Sequence, residues 1–225
     1  MSTEEQQQQQ LQHDIESKYL QQQAPPPPVA PVVIANPGPL GLSGFALTTF
    51  VLSLHNAGAG LAATSPHGVV TGLAMFYGGI VQLLAGMWEF RTGNTFGATA
   101  FSSYGGFWLS FGMIFIPGSG ILDSYKGDAA TLNQSLGFYL LGWTIFTGIM
   151  LIASHRSSVG LVSLFFMLFI TFILLTAGKF NNSITTQIAG GAFGVVTALI
   201  AWYNALAGLL TKDSSYFQLP VGRLN

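Results

Sequence analysis

Between Lys18 and Glu89 the chain carries no Asp, Glu, Lys or Arg. A stretch that long without a formal charge cannot supply the surface of a soluble domain. The rest of the chain is almost as poor: 7% of its 225 residues are charged, against about 25% in an ordinary soluble domain. A formal net charge of −1 offers no basic footprint for nucleic acid. Zero cysteines exclude a disulfide scaffold, a thiolate metal site and a cysteine nucleophile. The chain reads as an all-α integral membrane protein.

Three regions follow from composition. Residues 1–35 hold the runs Gln6–Gln10, Gln21–Gln23 and Pro25–Pro28, which bury little apolar surface and predict a disordered tail. Residues 36–210 contain six apolar segments of spanning length, at about 20 residues each. They run Leu42–Gly60, Gly68–Trp88, Phe96–Ile116, Leu136–Ala153, Val159–Gly178 and Ile188–Leu210. In a bilayer core no water satisfies open backbone, so these are expected to be helices. Residues 211–225 form a short C-terminal tail.

Basic residues near the spans set the orientation. With both termini in the cytoplasm, Arg91, Arg156, Lys212 and Arg223 face inward and only Lys126 and Lys179 face outward, the direction of the positive-inside rule. The triplets beginning at Asn133 and Asn181 then fall outside. Small-residue spacings at Gly68/Gly72, Gly93/Gly97 and Gly190/Gly194 mark faces where helices can approach closely, with contacts inside one chain as the default.

Nothing in the sequence assembles an enzyme site. The four histidines are scattered, and there is no His-x-x-x-His, no phosphate loop and no paired carboxylate within a span. No catalytic residue, metal or cofactor is expected. Intramembrane polar groups are expensive and mark candidate pathways: Thr48, His55 and Asn56 in the first span, Gln82 in the second. Phe45, Thr48, Leu52 and His55 share one helical face, which either lines a path or packs, with Thr48 bonding its own i−4 carbonyl. His55 and Glu89 are the candidate proton carriers; Glu89, beside Arg91 at a span end, also fits an ordinary interfacial carboxylate.

The stretch Asn36-Pro37-Gly38-Pro39-Leu40-Gly41-Leu42, followed by Ser43-Gly44-Phe45, resembles the signature of the acetate uptake transporter family. Further matches are Leu54-His-Asn56, Phe76-Tyr-Gly-Gly79 with Gln82, Gly93-Asn-Thr-Phe-Gly97 and Phe101-Ser-Ser-Tyr-Gly105. Gly38 departs from the family's usual Ala or Val, and the Gln/Pro-rich tail looks like the fungal branch. The resemblance implies six helices per subunit, a hexamer with one pathway in each subunit, and an apolar constriction of Phe45, Tyr104 and Leu168. It also implies a plasma-membrane carrier of acetate and other small monocarboxylates, succinate among them, either coupled to protons or channel-like. The partners are then the carboxylate, protons, membrane lipid and further copies of the chain. Ammonia or ammonium as solute is the alternative, and a signalling receptor is the third.

Overall fold

The computed structural model describes residues 2–23 and 32–224, and the chain divides into two compact units, residues 1–33 and 34–225. In the first unit, α1 (Thr3–Gln23) is a helix within the segment whose composition predicts a disordered tail. Its Gln, Glu, Leu and Lys residues are strong helix formers, and Ser2 with Glu5 forms a capping box, Ser2 N donating to Glu5 Oε2 at 2.7 Å and Glu5 N to Ser2 Oγ at 3.4 Å. No residue of α1 is buried. The run Pro25–Pro28 lies outside the described residues.

The second unit consists of α2 (Gly38–Ala57), α3 (Val69–Thr92), α4 (Thr95–Phe115), α5 (Ala129–Ser154), α6 (Val159–Phe180) and α7 (Ile184–Leu209). Among the described residues, five helices are long and apolar enough to cross a membrane: α2, α3, α5, α6 and α7. The expected third span is the 21-residue helix α4, whose apolar character is diluted by Gly97, Ser102, Ser103, Gly105, Gly106, Ser110 and Gly112.

Helix starts are set by local chemistry. Asn94, Asp128, Ser158 and Ser183 each accept a hydrogen bond from the backbone N–H three residues on, at 3.0–3.3 Å, satisfying donors that a helix start leaves open. These caps place the beginnings of α5 and α7 ahead of the expected Leu136 and Ile188. Outside the spans, hydrogen bonds from Thr131 hold the exposed Asp128 carboxyl below its ordinary range. At α2, Pro39 is tolerated because the first turn needs no N–H donor, so the helix starts four residues before Leu42. The C-terminal residues fold back onto the start of α6, with Val159 N donating to Gly222 O at 2.7 Å and Leu224 N to Ser157 O at 3.1 Å.

Helix α2 packs along α7 and also meets α3 and α4; α7 packs on α6, and α6 on α5. Glycine makes the α2–α7 approach possible. A methyl group at Gly191 would strike the α2 backbone at Asn56 and Ala57, and one at Gly194 would strike Ser53. Gly190 meets Leu175 of α6 instead, so this small-residue face works inside the chain. Gly68 and Gly72 have open space around them. Where α2, α3 and α4 converge, the middle of α3 (Phe76–Val81) is a π-helical turn. Gly78 admits the Thr48 side chain there, and Gly44 admits the Tyr77 carbonyl.

Helices α4 and α5 touch little through their backbones. Aromatic side chains bridge the gap: Phe107 to Tyr139 at 5.9 Å and Tyr104 to Trp143 at 6.0 Å between ring centroids. The Tyr104 hydroxyl pairs with that of Thr147 at 2.8 Å. The space between α4 and α5 is therefore filled by rings.

Candidate functional site

Two cavities lie within the bundle, and the second of them reaches the α4–α5 gap. The first, about 160 Å³, is walled by α2, α3, α4 and α6 and includes Phe45, Gln82, Glu89, Tyr104, Phe165 and Leu168. The second, about 90 Å³, is walled by Leu52 and Asn56 of α2 and by α4, α5, α6 and Gln187 of α7. Residues from opposite helix ends line them: Asn36, Glu89 and Asn94 at one end, His67, Phe115 and Lys179 at the other.

The expected constriction residues come together. Phe45, Tyr104 and Leu168 are at most 5% exposed, all three wall the first cavity, and the Phe45 and Tyr104 rings meet edge-on at 5.8 Å. Phe45 and Leu52 face different cavities from one helical stripe. The Tyr104 hydroxyl is occupied by Thr147.

The polar candidates separate. Gln82 walls the first cavity, and its Oε1 is buried without a hydrogen-bond partner. Asn56 walls the second. Thr48 walls neither; its hydroxyl donates to Gly44 O at 2.9 Å and its side chain fills the space over Gly78. Packing explains it. His55 walls neither cavity and lies beside His67, with ring centroids 6.3 Å apart.

Glu89 departs furthest from its plain expectation. Helix α3 continues past Trp88 to Thr92, which turns Glu89 inward, 3% exposed, against the first cavity. It makes no ion pair with Arg91; among the described residues the one ion pair joins His13 and Asp14. Asn94 Nδ2 donates to Glu89 Oε2 at 2.8 Å, and Thr92 Oγ1 donates to the same oxygen at 3.2 Å. Asn94 thus both caps α4 and holds the carboxylate. Its neighbour Gly93, at φ 80°, makes the reversal that allows this. Gly97 is needed too, because a methyl group there would lie 2.9 Å from the Glu89 carboxyl carbon.

The signature segment closes the same end. Asn36 Oδ1 accepts from Gly38 N at 2.9 Å as the chain enters α2. Asn36, Gly38 and Leu42 wall the first cavity, while Pro39 and Gly41 are buried in helix contacts and Leu40 is exposed. Pro37 is the half-buried residue preceding the helix. A methyl group at Gly38 would stand 3.0 Å from Asn36 Oδ1 and 3.5 Å from Glu89 Oε1. Glycine at this position therefore leaves room above the carboxylate.

Sequence reasoning missed Asn94, although Asn after Gly and before a long apolar run is a helix-start signal. Phe107, Phe165 and Phe172 carried no signal that set them apart from the other phenylalanines. Lys179 was expected just outside its span and instead occupies the last turn of α6.

Comparison with known proteins bears on the same region. The chain is 54% identical over 191 residues to "Ammonia transport outward protein 2" of Saccharomyces cerevisiae, covering 84% of this chain and 67% of that one. It is 50% identical over 197 residues to "Acetate permease A" of Emericella nidulans, covering 83% and 65%. The "Succinate-acetate/proton symporter SatP" of Escherichia coli K12 is 36% identical over 190 residues, covering 84% of this chain and 96% of the symporter. The solved "Structure of the bacterial acetate channel SatP" superposes with a TM-score of 0.75 at 37% identity, over 84% of this chain and 100% of the channel. Residues 19–225 match the GPR1/FUN34/yaaH family. The expected resemblance to acetate uptake transporters is thereby established, and the chain belongs to the GPR1/FUN34/yaaH family.

Proposed function

We propose that this chain carries acetate and other small monocarboxylates, with succinate at the upper limit of size, across the plasma membrane. The observation that carries this reading is the pair of cavities lined from opposite helix ends, with buried aromatic and aliphatic side chains between their polar outer residues. A small carboxylate with a short apolar body suits such a passage, since conduction needs sites that hold the solute weakly. Phe45, Tyr104 and Leu168 form the constriction.

Coupling to protons has a physical motive. Moving one negative charge inward against ~100 mV, interior negative, costs about 2.3 kcal/mol, which disfavours accumulation roughly fiftyfold. A proton carried with each anion removes that cost, and Glu89 is the carboxylate placed in the pathway to carry it. His55 lies behind the pathway wall and is the weaker candidate. The deciding experiment uses purified full-length protein in liposomes, with labelled acetate and ammonium under imposed pH and voltage gradients. Acetate accumulation driven by the pH gradient is expected. Movement of ammonium alone would favour the ammonia reading, which the name of the 54% identical yeast relative supports.

In the membrane, α4 crosses as well and brings the crossings to six, so that both termini lie in the cytoplasm and the Lys179 end faces outward. Six copies assemble, each with its own pathway. The exposed apolar face of α3, with Val69, Phe76, Ile80 and Leu84 beside the open Gly72, is available for lipid or a neighbouring copy. The chain lacks cysteine, so single cysteines report topology without background. A cysteine at exposed Ser124 should react with an impermeant reagent added outside, and one at Tyr216 should not; reversed labelling would overturn the orientation. A monomeric mass in mild detergent would overturn the hexamer.

A further inference from the structure

A third cavity, about 420 Å³, lies among the loops at the end opposite Glu89 and includes Ser65, Asn133 and Asn182. It shares His67, Lys179 and Gln187 with the second cavity. These three side chains therefore stand where the polar outer vestibule passes into the aromatic-lined interior. Three features of this collar fit an anion. Lys179 has no carboxylate within ion-pair distance among the described residues. His67 Nε2 is buried with no hydrogen-bond partner, and so is Nδ1 of the adjacent His55. Gln187 Nε2 donates to Ala63 O at 3.2 Å, which anchors the amide across the vestibule.

We propose that Lys179, His67 and Gln187 form a capture site for small carboxylates at the inner limit of the vestibule, and that protonation of His67 strengthens capture. The proposal rests on the transport reading above. Lys179 supplies a positive charge, and the unpartnered His67 nitrogen supplies a donor once the ring is protonated. The titratable and charged groups facing His67 are His55 from α2 and Lys179 from α6; α4 presents the Phe115 ring at 4.9 Å and α7 presents Gln187. Burial first, then the charges of His55 and Lys179, lower the proton affinity of His67 below its ordinary value. An arriving anion offsets the Lys179 charge and stabilises a protonated His67, so anion binding and proton uptake at His67 favour each other reciprocally. Acid, which protonates the ring, strengthens the collar.

The experiment measures acetate uptake by full-length protein in oriented liposomes, with acetate added on the vestibule side. Lys179→Gln should raise the half-saturation concentration about tenfold, the scale of one charge-assisted contact, with the maximal rate kept. Lys179→Arg should stay within about twofold, since it retains the charge. His67→Gln should abolish the gain in affinity that the unmodified protein shows on going from pH ~7.5 to pH ~5.5. An unchanged half-saturation in Lys179→Gln overturns the proposal. Equal losses in Lys179→Gln and Lys179→Arg also overturn it, because they point to packing of the lysine stem. If the unmodified protein moves no acetate at all, the transport reading has failed instead of the collar.

Discussion

Replacing Glu89 with Gln is expected to abolish acetate accumulation driven by a pH gradient while leaving acetate exchange intact. The substitution changes little else in the local structure. The amide oxygen still accepts from Asn94, the side-chain volume is nearly the same, and the cap on α4 stays in place. What is lost is the only carboxylate that walls the first cavity among the described residues. Without it the anion crosses alone, and its movement follows voltage. At ~100 mV, interior negative, the accumulation ratio for acetate should fall roughly fiftyfold. Labelled acetate in liposomes with separately clamped pH and voltage measures this directly. Undiminished pH-driven accumulation in the variant would remove Glu89 from the proton path.

Truncating Leu168 to Ala should change which acids pass. Leu168 is 3% exposed and walls the first cavity beside Phe45 and Tyr104. Removing three carbons there enlarges the neck, so lactate and succinate should gain on acetate by several-fold. The same change costs stability, about 2–5 kcal/mol for a buried leucine in a soluble core, so uptake must be compared at equal amounts of protein in the membrane. Tyr104→Phe makes the contrast. Its hydroxyl is bonded to Thr147, so removing it costs about 1 kcal/mol of helix contact and should leave the ratio of lactate to acetate alone. The Tyr104 hydroxyl thus holds α4 to α5; selectivity is assigned to the apolar walls. If the ratio in Leu168→Ala equals that of the unmodified protein, Leu168 has a packing role only.

These two expectations draw on different kinds of information. Apolar stretches without charge dictated membrane-spanning helices, because a bilayer penalises every unpaired backbone group and every charge. That rule acts on each segment separately, so it can be applied without knowing the fold. The Asn36–Leu42 signature and the Phe101–Gly105 stretch likewise identified the family and, through it, Phe45 and Tyr104. Cap chemistry is legible as well: Ser2 followed three residues later by Glu5 is a recognisable capping box.

Other features depend on where helices meet. Thr48 and Leu52 lie close together along α2, but only packing shows that Thr48 fills the space over Gly78 while Leu52 faces a cavity. Glu89 beside Arg91 looks like an interfacial pair in one dimension; the Gly93 reversal and Asn94 turn it inward instead. His67 precedes α3 and Lys179 ends α6, and they meet only because the ends of α2, α3 and α6 converge. Hydrophobic patterning is a one-body property of each segment, set by water and lipid. A pathway is a property of the space between segments, set by which glycines let backbones close and which rings hold them apart.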